Sequence, residues 1–187
     1  SRILDTMELA GIDPNSVTVE HLAPVDHFHA RGFPATVELA DALPIKDGDR
    51  LVDIGCGLGG PARYLAKRFN CHVDGIDITA PFVDAANNLR VLVGLESAVE
   101  CRHGDGQKLP YGDETFDGGY TQHVTMNVPD RNVFFGEAFR VLKPGAFFAL
   151  TEHGLGEVGA PHHPVPWSED GSGASLMRPA DTVAALE

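Results

Sequence analysis

Along the middle of the chain, short apolar runs alternate with stretches of helical spacing. Leu51, Val52 and Ile54 form a run that ends in a glycine-rich turn, Gly55-Cys56-Gly57-Leu58-Gly59-Gly60. Pro61 then opens a helical segment to Phe69, a place where its missing N–H is not needed. Cys71 to Asp77 reads as a second strand, and Pro81 to Gly94 as a helix with Phe82, Ala85, Ala86, Leu89, Leu92 and Val93 inward. A short third strand, 98–102, leads into His103-Gly104-Asp105-Gly106. After a turn over 109–117 comes a fourth strand, Gly118 to Gln122. Asp130 has the place of an N-cap for a helix to Leu142, and Lys143-Pro144-Gly145 ends it. Ala146 to Thr151 is a fifth, buried-looking strand. Helices between strands call for an α/β fold with a mostly parallel sheet covered on both faces.

The flanks are less regular. Residues 2–11 have helical spacing, 13–16 a turn, and a short helix is expected to Leu22. The stretch Val25-Asp26-His27-Phe28-His29-Ala30-Arg31-Gly32 has no period. Pro34 to Leu43 reads as a helix packing through Val37, Leu39, Ala40 and Leu43. From Glu152 onward about 25 glycine- and proline-rich residues form no regular element, a length that is usually functional or disordered. Another helix starts at Pro179. These changes of texture divide the chain into 1–45, 46–153 and 154–187.

Charge and composition narrow the partners. The 187 residues carry a formal charge of -13, which argues against nucleic acid, since duplex binding rests on Lys and Arg. No apolar run is long enough for a membrane span, and no signal peptide opens the chain. Cys56, Cys71 and Cys101 have neither metal nor disulfide spacing, so reduced thiols and a cytoplasmic protein are expected. His162-His163 reads as a solvated loop pair, and no metal site is expected.

Candidate chemistry gathers at the strand ends. Gly55, Gly57 and Gly60 match G-x-G-x-x-G, which lets a backbone approach a ligand closely and permits a dinucleotide. Asp53, two residues before the first glycine, would oppose a pyrophosphate and suits a cationic ligand. Asp77 lies 22 residues after Gly55, near where an acid accepts from ribose hydroxyls. Asp105 follows the third strand. Three carboxylates at three strand ends would converge on one crevice, where ligands of open α/β sheets bind.

Residues 49–152 resemble class I S-adenosylmethionine-dependent methyltransferases, and more narrowly the small-molecule subgroup of ubiquinone/menaquinone and methyltransferase type 11 enzymes. The resemblance rests on Asp53-Ile54-Gly55-Cys56-Gly57, Gly75-Ile76-Asp77, Gly104-Asp105-Gly106 with Leu109-Pro110, Thr115-Phe116-Asp117 and Val141-Leu142-Lys143-Pro144-Gly145. It implies a Rossmann-like doubly wound fold, S-adenosyl-L-methionine as cofactor, and a small-molecule methyl acceptor whose C, N or O atom stays open. Position by position, Gly55, Cys56 and Gly57 would adjoin the methionine part, with Asp53 on its ammonium side. Asp77 would bind the ribose, Ile78 would lie on the adenine, and Asp105 and Gly106 would read its edge. Gln122 and His123 would flank the reacting methyl. The unit 1–45 becomes a cap or lid, 46–153 the cofactor core, and 154–187 an acceptor-site loop with the start of a helix.

Two departures stand out. Gly118-Gly119 replaces the usual pair of apolar residues, predicting a weaker or more closely packed fourth strand. The family fold has seven strands and five are visible, so the chain is expected to be truncated after the fifth, in keeping with its start at Ser1, or to have that open edge covered by a partner such as a second copy. His123 and His153 are the candidate catalytic bases, with Glu152 beside the latter. His27, Phe28, His29 and Arg31 are expected to close over the cofactor, with Arg31 near its carboxylate, unless the segment only packs. Pro166 and Trp167 are expected to line the acceptor site. A non-catalytic cofactor-binding or assembly subunit stays open, and so, more distantly, does an NAD-dependent oxidoreductase.

Overall fold

The computed structural model describes residue 9 and residues 11–159 and 161–187; the helix expected over 2–11 therefore lies almost wholly outside the described residues. Helices α1 (Val19–Asp26) and α2 (Gly32–Ala42) precede β1 (Arg50–Ile54), α3 (Gly60–Phe69), β2 (His72–Asp77), α4 (Ala80–Leu92) and β3 (Val99–His103). Then come β4 (Phe116–Gln122), α5 (Arg131–Val141), β5 (Leu142–Thr151) and α6 (Pro179–Leu186).

All five strands are parallel, in the order β3-β2-β1-β4-β5. Alternation along β1 divides the core between the two faces. Leu51 packs with Ala40, Leu65, Ala66, Val83 and Ala86 from α2, α3 and α4. Val52 and Ile54 pack with Phe134, Phe135, Ala138 and Val141 of α5. This is the doubly wound sheet that the apolar pattern called for. The strand order is that of the nucleotide-binding doubly wound sheets, with its switch point between β1 and β4.

Several boundaries moved for physical reasons. Helix α1 runs to Asp26 rather than Leu22, with Pro24 inside it. In α4 the buried residues are Val83, Ala86 and Leu89, while Phe82 is 44% exposed and lines the cavity described below. Helix α2 buries Thr36 and Ala40, not an all-apolar stripe. Strand β4 starts at Phe116, because Phe116 pairs with Leu142 before a register shift resumes pairing at Gly118 and Phe147. Leu142 and Lys143-Pro144-Gly145 therefore belong to β5.

The glycine pair in β4 is a packing feature. A Cβ on Gly118 would lie 2.3 Å from the Phe147 ring, and one on Gly119 would lie 2.9 Å from Val52. Strand β5 is half-exposed rather than buried, and it pairs on one side only.

Candidate active site

A cavity of about 970 Å³ opens at the carboxyl ends of β1, β2 and β4. This is where strand order reverses between β1 and β4, the usual binding crevice of such sheets. Asp53, Gly55, Cys56, Gly57, Asp77, Ile78, Asp105, Gly106, Gln122, His123 and His153 all line it.

Asp53 is 2% exposed and takes one side-chain hydrogen bond, from the Tyr120 hydroxyl to Oδ2 at 3.0 Å. Burial pushes its carboxyl up to about 7, against the lowering by Tyr120 and with a contribution from nearby Asp77. Tyr120 gave no sequence signal of its own. The register that sets Asp53 opposite Tyr120 is what brings them together.

The glycine turn uses its donors internally. The N–H groups of Gly55 and Cys56 both donate to the Ile76 carbonyl, at 2.7 and 3.0 Å. Gly57 donates to Asp77 Oδ2 at 2.8 Å, and Gly59 to the Cys56 carbonyl at 2.8 Å. A turn so arranged offers few N–H groups to a pyrophosphate, and its carboxylates face the cavity. Gly57 has a φ of +53° and open space where a Cβ would stand. Gly60 differs: a Cβ there would lie 2.5 Å from the Asp26 carbonyl oxygen. The third glycine of the motif thus admits the end of α1, not a ligand.

Asp77 is held in place by Gly57 and by the Thr79 N–H, which donates to Oδ1 at 2.8 Å. Its remaining lone pairs are free to accept from a diol. Ile78 beside it is 70% exposed. Asp105 Oδ1 accepts from the Gln107 N–H at 2.8 Å, and Gly106 sits close under Phe134. Cys56 is buried. Its hydrogen bond with Cys101, followed by burial, raises its thiol pKa, so it stays protonated.

The other end of the cavity is a ladder of rings drawn from four distant segments. His29 stacks on His123 with centroids 5.3 Å apart and planes 13° apart. His123 meets His153 at 4.8 Å, and His153 stacks on Trp167 at 4.4 Å and 15°. His123 has a φ of +56°. Its Nδ1 is buried without a partner, leaving Nε2 as the accessible nitrogen. Burial first, then His153 and His29, lower its pKa to about 4, so it is a neutral imidazole at pH 7.

Thr36 organises the wall beside it and has no motif. Its hydroxyl lies 3.0 Å from His27 Nδ1, 3.2 Å from His29 Nε2 and 3.3 Å from Gln122 Oε1. Arg63 is another buried residue that the apolar pattern hid. It donates to Asp26 Oδ2 at 2.6 Å with both side chains wholly buried.

One expectation is corrected. Arg31 does not reach the cavity; its guanidinium is paired with Glu38 on the surface. Glu152, next to His153 in the chain, is engaged elsewhere. Thr125, Arg131 and Thr182 hold both its oxygens at 2.6–2.8 Å in a largely buried knot. Pro166 and Trp167 do line the cavity. Among the described residues no cluster of three or more metal-ligating side chains occurs, and no helix is long and apolar enough to cross a membrane.

A family profile described as a methyltransferase domain matches residues 52–150. The chain belongs to this methyltransferase-domain family. It is 40% identical over 114 residues to the 24-methylenesterol C-methyltransferase 2 of Oryza sativa subsp. japonica, covering 61% of this chain and 31% of that enzyme. It therefore spans less than half the length of the curated relatives it matches. The [4+2]-cyclase SpnF superimposes with a TM-score of 0.72 at 27% identity, over 82% of this chain and 55% of that one. A geranyl diphosphate methyltransferase solved with SAM gives 0.71 over 82% and 62%; at 24% identity it speaks for the fold alone.

Proposed function

We propose that this methyltransferase-family chain binds S-adenosyl-L-methionine and directs its methyl group to a small-molecule acceptor. The observation that carries the reading is the glycine turn, whose N–H groups are bound within the protein while Asp53, Asp77 and Asp105 face one cavity. That surface suits a cation with a diol and an amino-purine edge, and it is poor for the pyrophosphate of NAD. The family match supports the same reading.

Asp53 would hold the ammonium, Asp77 the ribose hydroxyls, Ile78 one face of the adenine, and Asp105 with Gly106 its edge. Once bound, the sulfonium supplies the methyl and a good leaving group. The chain's own residues position the acceptor, exclude water and, where the acceptor carries a proton, take it at His123 Nε2 or at His153. We assign residues 46–153 to the cofactor core and 154–187 to the acceptor side. We place the protein in the cytoplasm on its three buried free thiols, and we expect the one-sided β5 edge to pair in a homo-oligomer, to be checked by gel filtration.

Because SpnF shares the fold and its name is that of a cyclase, cofactor binding and turnover need separate tests. Calorimetry should show binding of S-adenosylmethionine and S-adenosylhomocysteine, and Asp77→Ala should weaken both by about tenfold or more, as loss of hydrogen bonds to a charged group predicts. Binding of NAD in their place would overturn the assignment.

A further inference from the structure

The charges lining the cavity bear on which acceptors it can take. Among the described residues no Lys or Arg lines the cavity, whereas Asp53, Asp77 and Asp105 do. The guanidinium of Arg63 is consumed by Asp26 in a wholly buried pair, and that of Arg31 by Glu38. His27 and His123 are held neutral at pH 7, both to about 4, chiefly by burial. A phosphate or diphosphate entering here would lose its hydration without meeting a Lys or Arg side chain among the described residues.

Beside the imidazoles of His29 and His153 and the amides of Gln122 and Asn127, the wall is apolar and aromatic: Phe28, Met126, Val128, Pro129, Pro166 and Trp167. Phe28 is 86% exposed, at a position where a large apolar side chain gains nothing from the fold itself. A cavity near 970 Å³ is at the upper end of the usual range for small-molecule sites, about 300–1,000 Å³. It has room for a second molecule beside a nucleoside-sized one.

We infer that this cavity takes an uncharged, mainly apolar acceptor and excludes phosphate and diphosphate esters. The inference rests on the cofactor reading above and goes beyond it by fixing the acceptor's class. The test is calorimetric titration of matched pairs into the protein loaded with S-adenosylhomocysteine: geraniol against geranyl diphosphate, and 2-naphthol against 2-naphthyl phosphate, each with and without magnesium. The uncharged member of each pair should bind at least tenfold more tightly in both conditions. Equal or tighter binding of either ester, in either condition, overturns the inference, and so does failure of both alcohols to bind the loaded protein. If S-adenosylhomocysteine itself does not bind, it is the cofactor reading that fails, and the same pairs titrated into the unloaded protein still decide between charged and uncharged ligands.

Discussion

Replacing Asp53 by Asn should stabilise the free protein while damaging its site. The carboxylate is 2% exposed, has Tyr120 as its only side-chain hydrogen-bond partner among the described residues and lies near Asp77. Its pKa, raised from an ordinary 3.8 to about 7, means the folded state favours the protonated form. Stability from this group is thus fully present below pH 4 and is lost as pH rises through about 7. At 1.36 kcal/mol per pH unit the loss is at most about 4 kcal/mol. Asn keeps an acceptor for the Tyr120 hydroxyl and carries no charge.

Urea unfolding of both proteins without cofactor, from pH 5 to pH 8, should show Asp53→Asn gaining about 2–4 kcal/mol at pH 8, with the gap closing toward pH 5. S-adenosylmethionine affinity should fall by about tenfold or more, since the ammonium loses a charged partner. Parallel pH profiles for the two proteins, or a less stable variant at pH 8, would refute the claim that an uncompensated carboxylate is stored at the end of β1.

Three further outcomes follow from the same geometry. Asp26→Asn leaves the wholly buried Arg63 without its anion and should lower unfolding free energy by about 3–5 kcal/mol in urea. Gly60→Ala forces a Cβ to within 2.5 Å of the Asp26 carbonyl and should lower stability by about 1–3 kcal/mol through a backbone shift, seen as a fall in Tm. If His123 is the base, kcat/KM should be lost only as pH falls through about 4, where the imidazole gains its proton; a limb near the ordinary 6.5 would assign the proton elsewhere.

The parts of the fold that could be read from the sequence were those fixed by local periodicity and turn chemistry. Leu51, Val52 and Ile54 are apolar because β1 is covered on both faces, and the glycine turn, Asp77 and Asp105 lie at or just past strand ends that the pattern located to within two residues. What stayed hidden depends on register and on distant pairs. Tyr120 meets Asp53 across 67 residues and Arg63 meets Asp26 across 37, and no period marks either. Phe82 and Val83 exchanged roles because helical spacing defines a stripe but not which of its edges faces the sheet. Arg31 was drawn toward the cavity by its neighbours His27 and His29, but its own left-handed backbone at φ +66° leaves it paired with Glu38 on the surface.

Part of the segment before β1 lines the cavity, from Asp26 to Ala30. The carbonyl end of α1 rests on Gly60, at the start of the helix that follows the glycine turn, and Asp26 fixes Arg63 beneath that turn. One turn further, Thr36 ties His27 and His29 to Gln122 at the end of β4, and His29 in turn lies flat on His123. A hydroxyl donates one hydrogen bond and accepts two, so Thr36 can give its proton to Gln122 Oε1 while both imidazoles donate to it, and the three contacts are satisfied together. The cofactor end and the ring ladder are joined through these contacts. Movement of the N-terminal segment would alter both halves of the cavity together.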